Sequence, residues 1–149
     1  MISMINARKV LEVGSFTGFG ALGMAEAVPE DGTVVTCEIQ PYLQELARKN
    51  VDRSPHGKKI TIKLGDAVKT LRQMATEGQK FDLIFMDGNK DGYPEIYKIV
   101  FEHNLLSPNG TLVVDNAFYQ GSAYVDDGYV EGSHTRRFND IVCNDTSVH

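Results

Sequence analysis

Phe81-Asp82-Leu83-Ile84-Phe85-Met86-Asp87 and Thr111-Leu112-Val113-Val114-Asp115-Asn116 decide how this chain folds. Each is an almost unbroken apolar run that ends in an oxygen-bearing side chain. Such runs read as buried parallel strands, whose carboxyl ends line the crevice where open α/β sheets bind ligands. Asp87, Asp115 and Asn116 are hard oxygen donors, and a Mg²⁺ site needs about one or two carboxylates, with water and substrate completing the shell. The two strand ends therefore point to a divalent cation, Mg²⁺ first, holding a small oxygen-bearing substrate.

Outward from these runs, strand and helix signals alternate. Lys9 to Val13 is a short strand that enters a glycine-rich turn, and Phe19 to Val28 then carries helical spacing. Thr33 to Ile39 is a second strand. Pro41 suits the first position of a helix to about Asn50, with Leu43, Leu46 and Ala47 on one face. Lys59 to Leu64 alternates as a strand at the sheet edge, and a helix from Ala67 to about Thr76 follows. Tyr93 to Leu106 reads as a helix, Ser107-Pro108-Asn109-Gly110 as a turn into the last strand, and Arg136 to Val142 as a final helix. Five strands with intervening helices predict one domain over 1–149: an α/β, doubly wound, mainly parallel sheet with helices on both faces. Gln120 to Thr135 is rich in Gly, Ser and Asp and reads as a long substrate-side loop.

Composition narrows the partners. The 149 residues are 42% apolar and 23% charged, with a net charge of −5 and no basic run beyond pairs such as Lys58-Lys59. Nucleic acid and anionic membrane are disfavoured, although a local basic patch leaves RNA open at low rank. No apolar stretch approaches a membrane span, and the N-terminus lacks a signal-peptide core. Two cysteines, Cys37 and Cys143, suit a reducing compartment, so the expected location is the cytoplasm.

The glycine turn constrains the cofactor. Gly14-Ser15-Phe16-Thr17-Gly18-Phe19-Gly20 has G-x-x-x-G-x-G spacing, with Phe16 where a dinucleotide fingerprint needs its second glycine. A P-loop is absent as well. Glu38, 24 residues after Gly14, ends the second strand where an acid can accept both ribose hydroxyls. Asp66, after the third strand, could reach an adenine amino group. A nucleoside without phosphates, such as S-adenosyl-L-methionine (SAM), fits these three strand ends better than NAD does. The bland alternatives are a simple turn at Gly14 and helix caps at Glu38 and Asp66. Likewise Asp87 could cap a helix, and Asp115-Asn116 could form an Asx turn.

Lys90 stands three residues beyond Asp87. It is either a solvated surface residue or, beside a cation, a base that takes the proton of an acceptor hydroxyl, after which the oxygen attacks the sulfonium methyl.

At these residues the chain resembles the cation-dependent class I O-methyltransferases of the caffeoyl-CoA and catechol O-methyltransferase type. The matching segments are Val10 to Phe19, Val35 to Ile39, Phe81 to Tyr93 and Gly110 to Asn116, in the family's order and spacing. The resemblance implies a Rossmann-like SAM methyltransferase fold. It also implies SAM contacts at Glu12, Gly14, Ser15, Gly20, Glu38, Ala67 and Asn89, with metal ligands at Asp87, Asp115 and Asn116 and a general base at Lys90. Asp66 is added from its position alone. Gly20 departs from the small hydroxyl residue the family often has there, and Tyr119 from its frequent Trp. The N-terminal helices and C-terminal strand pair that the family normally carries have no counterpart here, so the expectation is a fold truncated at both ends. A sheet that stops at its fifth strand exposes an edge, which favours a homodimer.

The leading expectation is a metal- and SAM-dependent O-methyltransferase acting on a small catechol- or caffeoyl-type hydroxyl. The alternative is a catalytically incompetent SAM-fold fragment that serves as a binding or interaction module. An amine or nucleic-acid methyltransferase ranks below both, and an NAD-dependent oxidoreductase lower still.

Overall fold

A computed structural model describes residues 1–121, 123–125 and 130–148. Its sheet is built from β1 (Lys9–Val13), β2 (Thr33–Glu38), β3 (Ile60–Leu64), β4 (Phe81–Met86) and β5 (Leu106–Val114). All neighbouring pairs are parallel, in the order β3-β2-β1-β4-β5. The chain winds outward from β1 through β2 to β3, then returns to place β4 on the other side of β1. That reversal opens the crevice at the carboxyl ends of β1 and β4.

Helices α1 (Phe19–Ala27) and α2 (Pro41–Val51) cover one face; α3 (Ala67–Thr76), α4 (Tyr93–Glu102) and α5 (Val130–Cys143) cover the other. Side chains alternate across a strand, so each strand feeds both cores. Val10 and Val34 pack under Ala21 and Ala25 of α1. Leu11, Ile84 and Met86 pack with Leu71, Ile96 and Val100 on the opposite face. Small Ala side chains let α1 lie close to the strands, while Val10-Leu11 of β1 and Leu83-Ile84 of β4 are apolar on both sides because both faces of these strands are covered. On the α1 face the strand interiors turn polar toward the crevice: Val10 is followed by Glu12, and Val34 by Thr36. β3 lies at the edge, as its alternation predicts.

Three boundaries differ from the sequence reading. Helix α4 stops at Glu102 rather than Leu106, because Asn104 takes a left-handed φ of 52° and turns the chain so that Leu105 is buried. Ser107 to Gly110 is not a turn ahead of β5 but an irregularity within it: Phe81 pairs with Leu106, while Leu83 already pairs with Thr111. Helix α5 begins at Val130, so the stretch read as a loop to Thr135 is helical over its last six residues. Gly132 and Ser133 are weak helix formers, but burial of Gly132, Thr135 and Phe138 outweighs their propensity. Of the same stretch, residues 122 and 126–129 lie outside the described residues. No helix among the described residues is long and apolar enough to cross a membrane.

Candidate active site

A cleft of about 540 Å³ opens over the ends of β1, β2, β3 and β4. The turn after β1 needs left-handed backbone at alternate residues: φ is 105° at Gly14, 47° at Phe16 and 81° at Gly18. Phe16 therefore occupies a conformation that glycine adopts more readily, and it does so on the cleft wall. Gly14 is required by proximity as well, because a Cβ there would lie 2.5 Å from the Asp87 carbonyl oxygen. The Gly14 and Ser15 amides donate to the Cys37 carbonyl at 3.1 and 3.0 Å, tying the turn to β2.

Glu38 is buried at the cleft wall. One carboxylate oxygen accepts the Phe16 amide and the other the Gln40 amide, both at 2.9 Å. A carboxylate offers about four lone-pair directions, so two remain for ligand hydroxyls. Asp66 does cap a helix: its Oδ1 accepts the Lys69 amide at 3.0 Å at the start of α3. It lines the cleft together with Gly14, Glu38, Ala67 and Asn89.

Glu12, Ser15 and Gly20 do not line that cleft; they lie on the α1 side of the glycine turn. Glu12 is buried and accepts the Thr36 hydroxyl at 2.5 Å on Oε2, while Oε1 faces Gly20 so closely that a Cβ there would be 2.3 Å away. Loss of solvent, opposed by the Thr36 hydrogen bond and reinforced by the charges of Asp87 and Glu38, pushes its carboxyl up to about 7. The buried Ser15 hydroxyl has no hydrogen-bond partner among the described residues.

The acidic residues meet one strand further along. Met86 pairs with Val114, and the Asp115 amide continues the ladder by donating to the Met86 carbonyl at 2.9 Å, so Asp87 and Asp115 stand side by side. Asp87 does not cap α4, whose first turn lacks a side-chain cap. Its Oδ1 instead pairs with Lys90 Nζ at 3.0 Å. Asp115 folds back on the next amide, accepting Asn116 N–H at 2.6 Å, and Asn116 takes a φ of 59°. The loop that follows is tied to α5 through Asn139, which donates to the Ala117 carbonyl at 2.8 Å.

Among the described residues no three His, Cys, Asp or Glu side chains cluster as a metal site. A cation here would rest on two adjacent carboxylates and one amide, each open to solvent. That donor set fits Mg²⁺, which keeps water or substrate oxygens in its remaining positions.

Two residues that sequence reasoning passed over belong to this arrangement. Thr36 is the partner of Glu12. Tyr93, fully buried, places its hydroxyl 2.9 Å from Lys90 Nζ and donates to the Met86 carbonyl at 3.0 Å. Burial first, then the Asp87 and Asp115 carboxylates, pushes its phenol up and keeps it protonated. The i,i+3 spacing from Lys90 was visible in the sequence; the hydroxyl's partners were not.

Known proteins share this arrangement of strands and turns. A catechol O-methyltransferase from Niastella koreensis is 31% identical over 99% of this chain and 67% of its own length. A caffeoyl-CoA O-methyltransferase from Zea mays is 30% identical over 95% of this chain and 54% of its own. The O-methyltransferase of tomaymycin synthesis from Streptomyces achromogenes, solved in complex with SAM, superposes with a TM-score of 0.87 at 28% identity, over 97% of this chain and 65% of that one. The chain thus spans from about half to two thirds of the length of these relatives. The O-methyltransferase family model matches residues 1–149, and the chain belongs to the O-methyltransferase family.

Proposed function

We propose that this chain is the catalytic core of a divalent-cation- and SAM-dependent O-methyltransferase whose acceptor is a small molecule with adjacent hydroxyls, of the catechol or caffeoyl type. One observation carries the reading: a cleft suited to a phosphate-free nucleoside runs along the strand ends as far as Asp87, which pairs with Lys90 and stands beside Asp115. Glu38 would accept the ribose hydroxyls and Asp66 would face the base, while Gly14, Ala67 and Asn89 let the ligand approach the backbone closely. Glu12, Ser15 and Gly20 would serve the amino-acid end.

Asp87, Asp115 and Asn116 would hold the cation, which when bound acidifies and orients an acceptor hydroxyl. Lys90 takes the hydroxyl proton on Nζ. Bound SAM would supply the methyl group: the O–CH₃ bond would form as the S–CH₃ bond breaks, with the bonding pair returning to sulfur and the opposite charges of oxygen and sulfonium cancelling. Most of the acceleration comes from holding oxygen in line with the methyl group. Tyr119, after the β5 end, would shape the wall of the acceptor site. The free cysteines suit a cytoplasmic enzyme.

The test is transfer of tritiated methyl from SAM to a panel of catechols, phenols and RNA, with Mg²⁺ and with EDTA. Catechol methylation that EDTA abolishes is the expected result. Activity indifferent to EDTA would remove the cation from the mechanism. SAM binding without transfer to any acceptor would leave a binding module.

A further inference from the structure

Tyr93 lies where three parts of the candidate site meet, and its hydroxyl has only one way to serve them. The nearby carbonyls can only accept, so the hydroxyl hydrogen is committed to Met86 at 3.0 Å, with the Asp115 carbonyl at 3.5 Å. Toward Lys90 the phenol oxygen can therefore only accept, and Nζ lies 2.9 Å away. The lysine side chain also lies over the Tyr93 ring, with Nζ 5.0 Å from its centroid. From behind, the ring is held edge-on by Phe138 of α5, with centroids 5.4 Å apart. One N–H of Lys90 is thus directed down onto a fixed oxygen, and another is turned toward Asp87 Oδ1 at 3.0 Å.

We propose that Tyr93 is a positioning residue: its hydroxyl aims the Lys90 amine at the acceptor oxygen and ties that aim to the paired ends of β4 and β5. The inference rests on Lys90 as the proton acceptor, and it goes further by making an otherwise interior tyrosine part of the machinery. Tyr93 is not a rival base, because its phenol is buried and faces two carboxylates. Without the hydroxyl, Asp87 would be the one remaining side-chain hydrogen-bond partner of the amine among the described residues. Lys90 would then swing with an exposed carboxylate rather than with the sheet.

The decisive variant is Tyr93→Phe, which keeps the ring and its packing. Lysine acetylation by an amine-reactive ester, followed by mass spectrometry, reads the contact without needing catalysis. Lys90 should react about five- to tenfold faster in the variant while other lysines stay within about twofold, since a hydrogen bond worth roughly 1 kcal/mol is released. In the methyl-transfer assay kcat should fall about tenfold with the acceptor KM unchanged, and Tyr93→Phe should add nothing further in a Lys90→Met background. Phe138→Leu loosens the same ring but spares the hydroxyl, and should lower the melting temperature without altering Lys90 labelling.

Unchanged Lys90 labelling in Tyr93→Phe overturns the proposal, as does equal labelling in both ring variants. Full activity of Lys90→Met removes the base reading and the inference that rests on it, whereas loss of activity there with none in Tyr93→Phe removes the inference alone. If Tyr93→Phe does not fold, the ζ-nitrogen NMR spectrum of the unaltered chain decides: Lys90 amine protons must exchange more slowly than those of surface lysines, and equal exchange overturns the proposal.

Discussion

On the β1–β3 side of the crevice the polar groups are held by backbone. Both Glu38 oxygens accept main-chain amides, Asp66 caps α3, and the glycine turn is pinned to Cys37. On the β4–β5 side they are held mainly by one another or by a neighbouring amide: Asp87 by Lys90, Lys90 by Tyr93, and Asp115 by the Asn116 amide. The first arrangement is set by the backbone as the chain folds. The second depends on side-chain rotamers and, under the proposed function, would rearrange around a cation and its acceptor. The halves touch at Gly14, whose missing Cβ lets the turn rest against the Asp87 carbonyl.

If the halves are separable, Lys90→Met should lower methyl transfer by about 10²–10⁴-fold, the usual range for losing a proton-transfer group, and Asp87→Asn, which removes a carboxylate from the cation's donor set, should lower it as well. Affinity for S-adenosylhomocysteine should stay within about threefold, read by calorimetry. A matching loss of nucleoside affinity would mean that the division is false. Gly14→Ala tests the seam instead. Its Cβ meets the Asp87 carbonyl at 2.5 Å with φ at 105°, so both functions should fail together. Stability should drop by roughly 1–3 kcal/mol, seen as a lower melting temperature.

Glu38→Gln should weaken S-adenosylhomocysteine binding by about ten- to a hundredfold while kcat at saturating SAM changes little. The smallest effect concerns Glu12. Its folded carboxyl titrates near 7 against an ordinary value of 4.5, so the folded state binds the proton more tightly. Stability of the ligand-free chain should therefore rise as pH falls from 8 to 6, by roughly 1 kcal/mol, and decline as pH rises through 7. Thermal melts of Glu12→Gln across that range should lose this component of the slope.

The strands and the first three helices were legible because each carries its own period over a few residues. Val10-Leu11 and Leu83-Ile84 are apolar on both faces, Ile60 to Leu64 alternates, and Pro41 and Asp66 mark helix starts. Local signals failed where contacts across the fold outweighed propensity. Helix α5 extends back through Gly132 because α5 packs beneath the Lys90 turn and α4, and β5 absorbs Ser107 to Gly110 because Leu106 already pairs with Phe81. In the site, Asp87, Lys90, Asp115 and Asn116 could be read from where strands end. The Tyr93 hydroxyl, the Thr36 partner of Glu12 and the Glu12 contact with Gly20 could not, because each depends on cross-strand register or helix placement.

By itself the sequence determined which elements form and which chemical groups stand at their ends, since hydrophobic period and turn residues act over a few positions. Only the tertiary structure decided that β4 returns to the side of β1 away from β2. That topology sets the glycine turn against Asp87 and Tyr93 beneath Lys90, and it buries Glu12 with no counter-ion among the described residues. Distances between strand ends and the loss of water around a carboxyl are properties of the packed sheet, and no short stretch of residues contains them.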